Sequence, residues 1–307
     1  MYQDLAKGSI TKGLLLFAAP MVAGNLLQQL YNIADTLIVG QALGRNALAA
    51  VGSAFTLMTF LTSVFLGLSM GAGALFSIYQ GRGDQTALRR ATAHAFALIL
   101  AVTLVLALAV YLWVDPILRF LQIPEELYDA MRTYLLIIFT GLLATFLYNF
   151  FACLLRAVGN SVAPLWFLGA AALLNIGLDI VSVVILGTGV EGPALATVIS
   201  QAVSGVLCLI YMKKKFTILH MEAGEWRPDA RCIRTLLGNG VPMGLQYSIT
   251  AIGSVILQAS VNRLGSAAVA SVTAGGKVNL FFTCPFDALG GTMATWAGQN
   301  VGAEKPE

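Results

Sequence analysis

The chain has 307 residues, 58% of them hydrophobic and 11% charged, with a net charge of +3 and a mean hydropathy of +0.80. A water-facing globule carries about 25% charged residues, so this composition excludes a soluble domain, and apolar runs that continue without alternation exclude the pattern of a β-barrel. The basic residues sit in short segments between those runs, which is information about membrane topology and gives no reason to invoke nucleic acid.

In chain order, the first twelve residues are polar, and the run after them is longer than the apolar core of a cleavable signal, so it reads as a retained first span at 13–39. Asn25, Gln28, Gln29, Asn32, Asp35 and Thr36 recur there at helical steps and share one face. A lipid-facing helix would not carry such a stripe. It must look into the bundle, onto either an amide-rich packing interface or a wet cavity. Asp35 favours the cavity, because an acid at bilayer depth costs about 3 kcal/mol to insert.

The second span, 50–79, clusters Gly67, Ser69, Gly71, Gly73 and Ser77, small residues that let helices approach closely. The third and fourth are placed at 91–114 and 130–153, with 81–90 and 115–126 as loops. The fifth, 162–187, holds a second intramembrane acid in the series Asn175, Asp179, Ser182, and the sixth, 193–212, has Thr197, Gln201 and Ser204 at the same kind of spacing. Three helices of one six-helix unit thus present polar seams, two of them with a carboxylate. Such oxygens can hold a sodium ion, or a proton between two carboxyl groups, and the residues leave that choice open.

A polar connector at 213–234 separates residues 1–212, read as a six-helix N-terminal lobe, from 235–307, read as a partial second lobe with spans at 236–260 and 267–297. Pro20 and Pro242, early in the first and seventh spans, predict kinks. Lys277 and Asp287 both lie in the eighth span, about three turns apart, too far to pair along that helix. Alternate loops carry twelve Lys and Arg on one side against three on the other, which predicts a multi-pass protein of the cytoplasmic membrane with its N-terminus in the cytoplasm. Cys153, Cys208, Cys232 and Cys284 have no metal-type spacing and read as packing thiols, and His94 and His220 make no catalytic set, so neither an enzyme nor a resident metal is expected.

The chain also repeats itself. Ala19-Pro20-Met21 is matched by Val241-Pro242-Met243, and ALGRNALAAVGSA (42–54) by RLGSAAVASVTAG (263–275), at an offset of 221–222 residues. Six spans separate the copies, so both enter the membrane from the same side, as in a parallel repeat. The fold class expected is an all-α membrane protein comprising a six-helix lobe and the first two helices of a second, equivalent lobe. The parent would then have twelve spans; an eight-span protein is the alternative, and it would leave small, polar packing faces uncovered.

The stretch PMVAGNLLQQLYNIADTLIVGQALGRNALAAVG (20–52), with LLRAVGNSVAP (154–164) and LLNIGLDIVSVVILGTGVEGPALATVIS (173–200), resembles the multidrug and toxic compound extrusion (MATE) family along essentially the whole chain. The resemblance implies two six-helix lobes forming a V, and export of amphipathic, often cationic compounds in exchange for protons or sodium, with no cofactor and no obligate protein partner. It assigns a cation site to Asp35, Asn175, Asp179 and Thr197, with Tyr134 beside it, and makes Gln28 a cavity-lining residue; Asn32, on the same stripe, is placed in the substrate cavity with it. The seventh span lacks the acid that another branch of the family uses for sodium. Two rival readings are a lipid-linked precursor flippase of the same wider superfamily, which would need a basic cavity, and a membrane transferase, which would need a catalytic cluster.

Overall fold

A computed structural model describes Leu5 and residues 9–121, 123, 125–216 and 229–304. The described residues form helices α1 (Ile10–Ala42), α2 (Gly44–Arg82), α3 (Gln85–Phe120), α4 (Glu125–Thr140), α5 (Leu142–Ala157), α6 (Val162–Asp179, continuing as a π-helical segment Ile180–Ile185), α7 (Glu191–Lys215), α8 (Ala230–Asn262) and α9 (Ser266–Gly302), and no strand. Six of these are long and apolar enough to cross a membrane, and α4 with α5, bent by 47°, makes a seventh span. The chain is therefore an all-helical, multi-pass membrane protein. The eighth expected span does form a helix, α9, but its Lys, Asp and amide content leaves it outside the set that is apolar enough to span alone. Most of the connector, 217–228, lies outside the described residues.

The helices run further than the apolar runs that announce them, because polar residues just beyond the spans continue the hydrogen-bond ladder. Of the loop expected at 81–90 only Gly83 and Asp84 remain. Gly83 takes the left-handed conformation (φ 71°) that ends α2, and the Asp84 carboxylate accepts the Ala87 N–H at 2.9 Å to cap α3. Likewise Asp115–Phe120, expected in a loop, extends α3. Helices α1 and α8 run on through Pro20 and Pro242. The non-helical residue is instead Trp113 (φ −120°, ψ 18°), three positions before Pro116, whose ring cannot accommodate an undisturbed preceding turn. At the α4–α5 bend, a Cβ on Gly141 would lie 2.7 Å from Val198 Cγ2, so the close approach of α7 requires glycine there.

An aromatic cluster fixes the first part of the bundle. Phe76 (α2), Phe96 (α3) and Phe146, Phe150 and Phe151 (α5) meet with ring centroids 5.3–6.2 Å apart. The outer side of α3, with Leu104, Val105, Leu108 and Leu112, is exposed and apolar, as a lipid-facing surface must be. Helix α8 lies mainly along α2, and α9 along α1 and α2. The α2–α8 crossing is built from bare backbone. A side chain at Gly67 or Gly71 would collide with the backbone at Gly244 or Gly240, so each helix contributes a pair of glycines four residues apart. Polar links close both ends of the contact. Gln299 on α9 accepts the Leu5 N–H (3.1 Å) and donates to the Ala157 carbonyl (2.8 Å) at one end, while Asn262 on α8 donates to the Leu121 carbonyl (3.3 Å) at the other.

Candidate functional site

The polar stripe of α1 faces inward. Gln28, Asn32 and Asp35 line a cavity of about 370 Å³, joined by Tyr134 from α4 and Thr197 from α7. That volume suits a drug-sized molecule. The cavity occupies the half of the bundle where α1 ends and α2 and α9 begin; the other half is filled by the glycine-lined packing of α2 against α8 and α9.

The two intramembrane acids meet. Asp179, at the last turn of α6, is wholly buried behind the cavity wall, and its carboxyl group is close enough to that of Asp35 to interact directly. Asn175, one turn earlier and 2% exposed, reaches Thr197 Oγ1 with its Nδ2 at 3.5 Å. All four residues assigned to a cation site are therefore brought together, and Tyr134 lies within electrostatic reach of both acids. The π-helical turn begins directly after Asp179, and the Ser182 hydroxyl donates to the Asp179 carbonyl at 3.2 Å, so the seam residue Ser182 serves the backbone at this junction. Single π turns recur at functional sites because they shift a helix's register locally.

The donor set bears on what this place can hold. Both Asp179 carboxylate oxygens and Asn175 Oδ1 are buried and receive no hydrogen bond from the described residues; Ser200 Oγ and Gln201 Oε1, beside them on α7, are likewise unsatisfied. A carboxylate left so at bilayer depth is costly. A proton or a small hard cation would supply what is missing, and an all-oxygen set fits either. Among the described residues no group of three or more His, Cys, Asp or Glu could hold a metal ion, and no Lys, Arg or His lines the cavity.

Several lining residues carried no signal in the sequence reading. Tyr31 lies on the same face as Gln28 and Asp35 and lines the cavity with Gln28 and Gln201. Its position in the stripe could have revealed it, had its hydroxyl been counted as polar. Tyr148 and Asn149 on α5 and Thr59 and Thr62 on α2 stand within otherwise apolar runs. Asp287 on α9 lines the same cavity, whereas nothing is described of the Lys277 side chain.

Comparison with known proteins gives a consistent answer. The family model MatE matches residues 20–181. A relative named "Probable multidrug resistance protein YpnP" from Bacillus subtilis is 30% identical over 303 residues, covering 97% of this chain and 67% of the relative. Among solved structures, a MOP superfamily transporter from Pyrococcus furiosus, described as having a binding pocket of reverse polarity, superposes with a TM-score of 0.89 at 23% identity, covering 98% of this chain and 67% of that one. An outward-facing MATE family transporter of the same superfamily also gives 0.89 at 22% identity, with the same coverage. The chain thus spans about two thirds of the length of the proteins it matches.

Proposed function

Because the chain belongs to the multidrug and toxic compound extrusion (MATE) family, we propose that it is a multidrug efflux antiporter, in which a proton or sodium ion moving inward at the Asp35–Asp179 pair drives amphipathic compounds out through the adjoining cavity. The observation that carries this reading is the meeting of two acids from α1 and α6 at the wall of a cavity, with buried oxygen acceptors of Asp179 and Asn175 left unsatisfied.

The coupling follows from differential binding. A ligand moves a two-state equilibrium only by the difference in its affinity for the two states. With the pair ionised, the site is more negative than with the coupling ion bound and favours a cationic substrate. When a proton or sodium ion joins Asp35 and Asp179, with Asn175 and Thr197 as neutral oxygen partners, that attraction falls and substrate leaves. Each charge carried inward releases about 2.3 kcal/mol per 100 mV of membrane potential. The excess of Lys and Arg in alternate loops supports an N-terminus in the cytoplasm, so that the cavity opens outward. The sequence repeat that matches 42–54 with 263–275 supports a division into an N-terminal lobe at 1–212 and the start of an equivalent second lobe at 235–307. A flippase for pyrophosphate-linked lipids is disfavoured, since its cavity would need basic residues and none is among the described lining residues.

The test is efflux of a cationic dye from vesicles, with sodium and pH gradients imposed separately. The gradient that drives efflux identifies the ion. Asp35→Asn and Asp179→Asn are expected to abolish gradient-driven efflux while the protein remains inserted; full coupled efflux from either variant would overturn the reading.

A further inference from the structure

One acid in the cavity is left over once the Asp35–Asp179 pair is accounted for. Asp287 lies midway along α9, a helix of the second repeat, and its exposed side chain lines the same 370 Å³ cavity as Asp35. Its position is fixed from α1: Asn25 Nδ2 donates to the Cys284 carbonyl at 3.1 Å, less than one turn before Asp287. Tyr247 on α8 and Cys284 are the titratable neighbours within its electrostatic reach, and neither can neutralise a carboxylate. No Lys, Arg or His lines the cavity among the described residues, and an organic cation entering it is a fitting countercharge for Asp287.

The rest of the lining narrows the chemistry. Tyr31, Phe55, Tyr134 and Tyr148 present aromatic surface to the same space. A carboxylate in a cavity that also presents aromatic surface suits an organic cation, whose charge the carboxylate balances while its ring or alkyl body lies against the aromatic faces. A second cavity of about 340 Å³, bounded by Gly52, Phe55 and Thr59 of α2 and by residues of α8 and α9, shares Thr273 and Leu280 with the first and gives a bulky cation room to extend toward the second repeat.

Resting on the efflux reading, we propose that Asp287 is the specificity-determining counter-ion for the positive group of the exported compound, leaving Asp35 and Asp179 to the coupling ion. The two tasks would then fall to carboxylates on separate repeats.

Equilibrium binding to the purified chain in lipid nanodiscs, with no ion gradient, tests this. Ethidium serves as the cationic probe and Nile red as an uncharged one of comparable size. Asp287→Asn is expected to weaken ethidium binding by about tenfold or more and leave Nile red binding within about twofold; Asp287→Glu, which keeps the charge, is expected to retain ethidium binding. A loss of ethidium affinity below about fivefold, an equal loss of both probes, or absence of ethidium binding to the wild type would overturn the proposal. Because no gradient is applied, these outcomes bear on Asp287 and not on coupled efflux, whose failure would show only in the vesicle assay. Monodispersity of each variant, and the Glu variant itself, separate a binding defect from misfolding.

Discussion

Helices α1 and α8 are copies of one element put to different use. Each has a proline about ten residues in, Pro20 and Pro242, and each packs across the partner repeat. The offset of 222 residues that aligns those prolines sets Asn25 against Tyr247, Gln28 against Thr250, Asn32 against Ser254 and Asp35 against Leu257. Asp35 lines the cavity, while Leu257 is 61% exposed and borders the second cavity, which has no charged group among its described lining residues. The repeat thus preserves the packing role of the helix and discards the charge. What a duplicated scaffold fixes is where helices cross; where an ion can bind depends on which copy keeps an acid facing buried oxygens on its neighbours.

The sharpest way to break that comparison is to exchange the two positions. In the double variant Asp35→Leu, Leu257→Asp, gradient-driven dye efflux is expected to fall to background, since no acid is among the described residues that line the second cavity with Leu257. Recovery of coupled efflux would show the two copies to be interchangeable. A smaller effect is expected where both copies share a structural task. Gly71→Leu would push a side chain into the Gly240 backbone and is expected to destabilise the fold by about 1–3 kcal/mol, read as a lower unfolding midpoint in detergent, whereas a substitution at Gly253, which has nothing within 4 Å, is expected to be nearly silent.

At the far end of α8, Gln258 Nε2 donates to Asn262 Oδ1 at 2.9 Å and Asn262 donates to Leu121. Asn262→Leu breaks both buried bonds and is expected to cost about 1–3 kcal/mol, toward the low end, by the same measurement. The smallest effect is expected at the start of the helix. The Asp229 carboxylate accepts from the Cys232 and Arg231 N–H groups, and these bonds hold its pKa below the usual carboxylate value. Because the folded value is depressed, the cap's contribution is complete above about pH 4 and is lost as pH falls through the lowered folded value. Amide exchange in the first turn of α8 should therefore quicken in acid, and Asp229→Ala should show the faster exchange already at neutral pH.

Much of this was legible in the sequence, and the exceptions have physical causes. Apolar runs found every span core but not its ends, since a helix outlasts the bilayer wherever a cap such as Asp84 allows. The seam of Asn175 and Asp179 and the stripe through Asp35 could be read because polar residues at helical spacing have few explanations in a membrane. The π turn after Asp179 could not, because Ile180–Ile185 is as apolar as any helix and the register shift is set by the packing of α6 against α1 and α7. Tyr31 and Tyr134 divide along the same line. A tyrosine in an apolar run looks like core until its hydroxyl is found facing a cavity, and only the family resemblance singled out Tyr134.

The crossing of Gly67 and Gly71 over Gly244 and Gly240 has a mechanical meaning. Where two backbones touch at paired glycines, few side-chain knobs must be lifted from their holes for one helix to tilt over the other. Resistance to such rocking comes in part from hydrogen bonds: Ser63 with Ser248 between α2 and α8 one turn from the glycines, and, further out, Gln299 with Leu5 and Ala157 and Asn262 with Leu121.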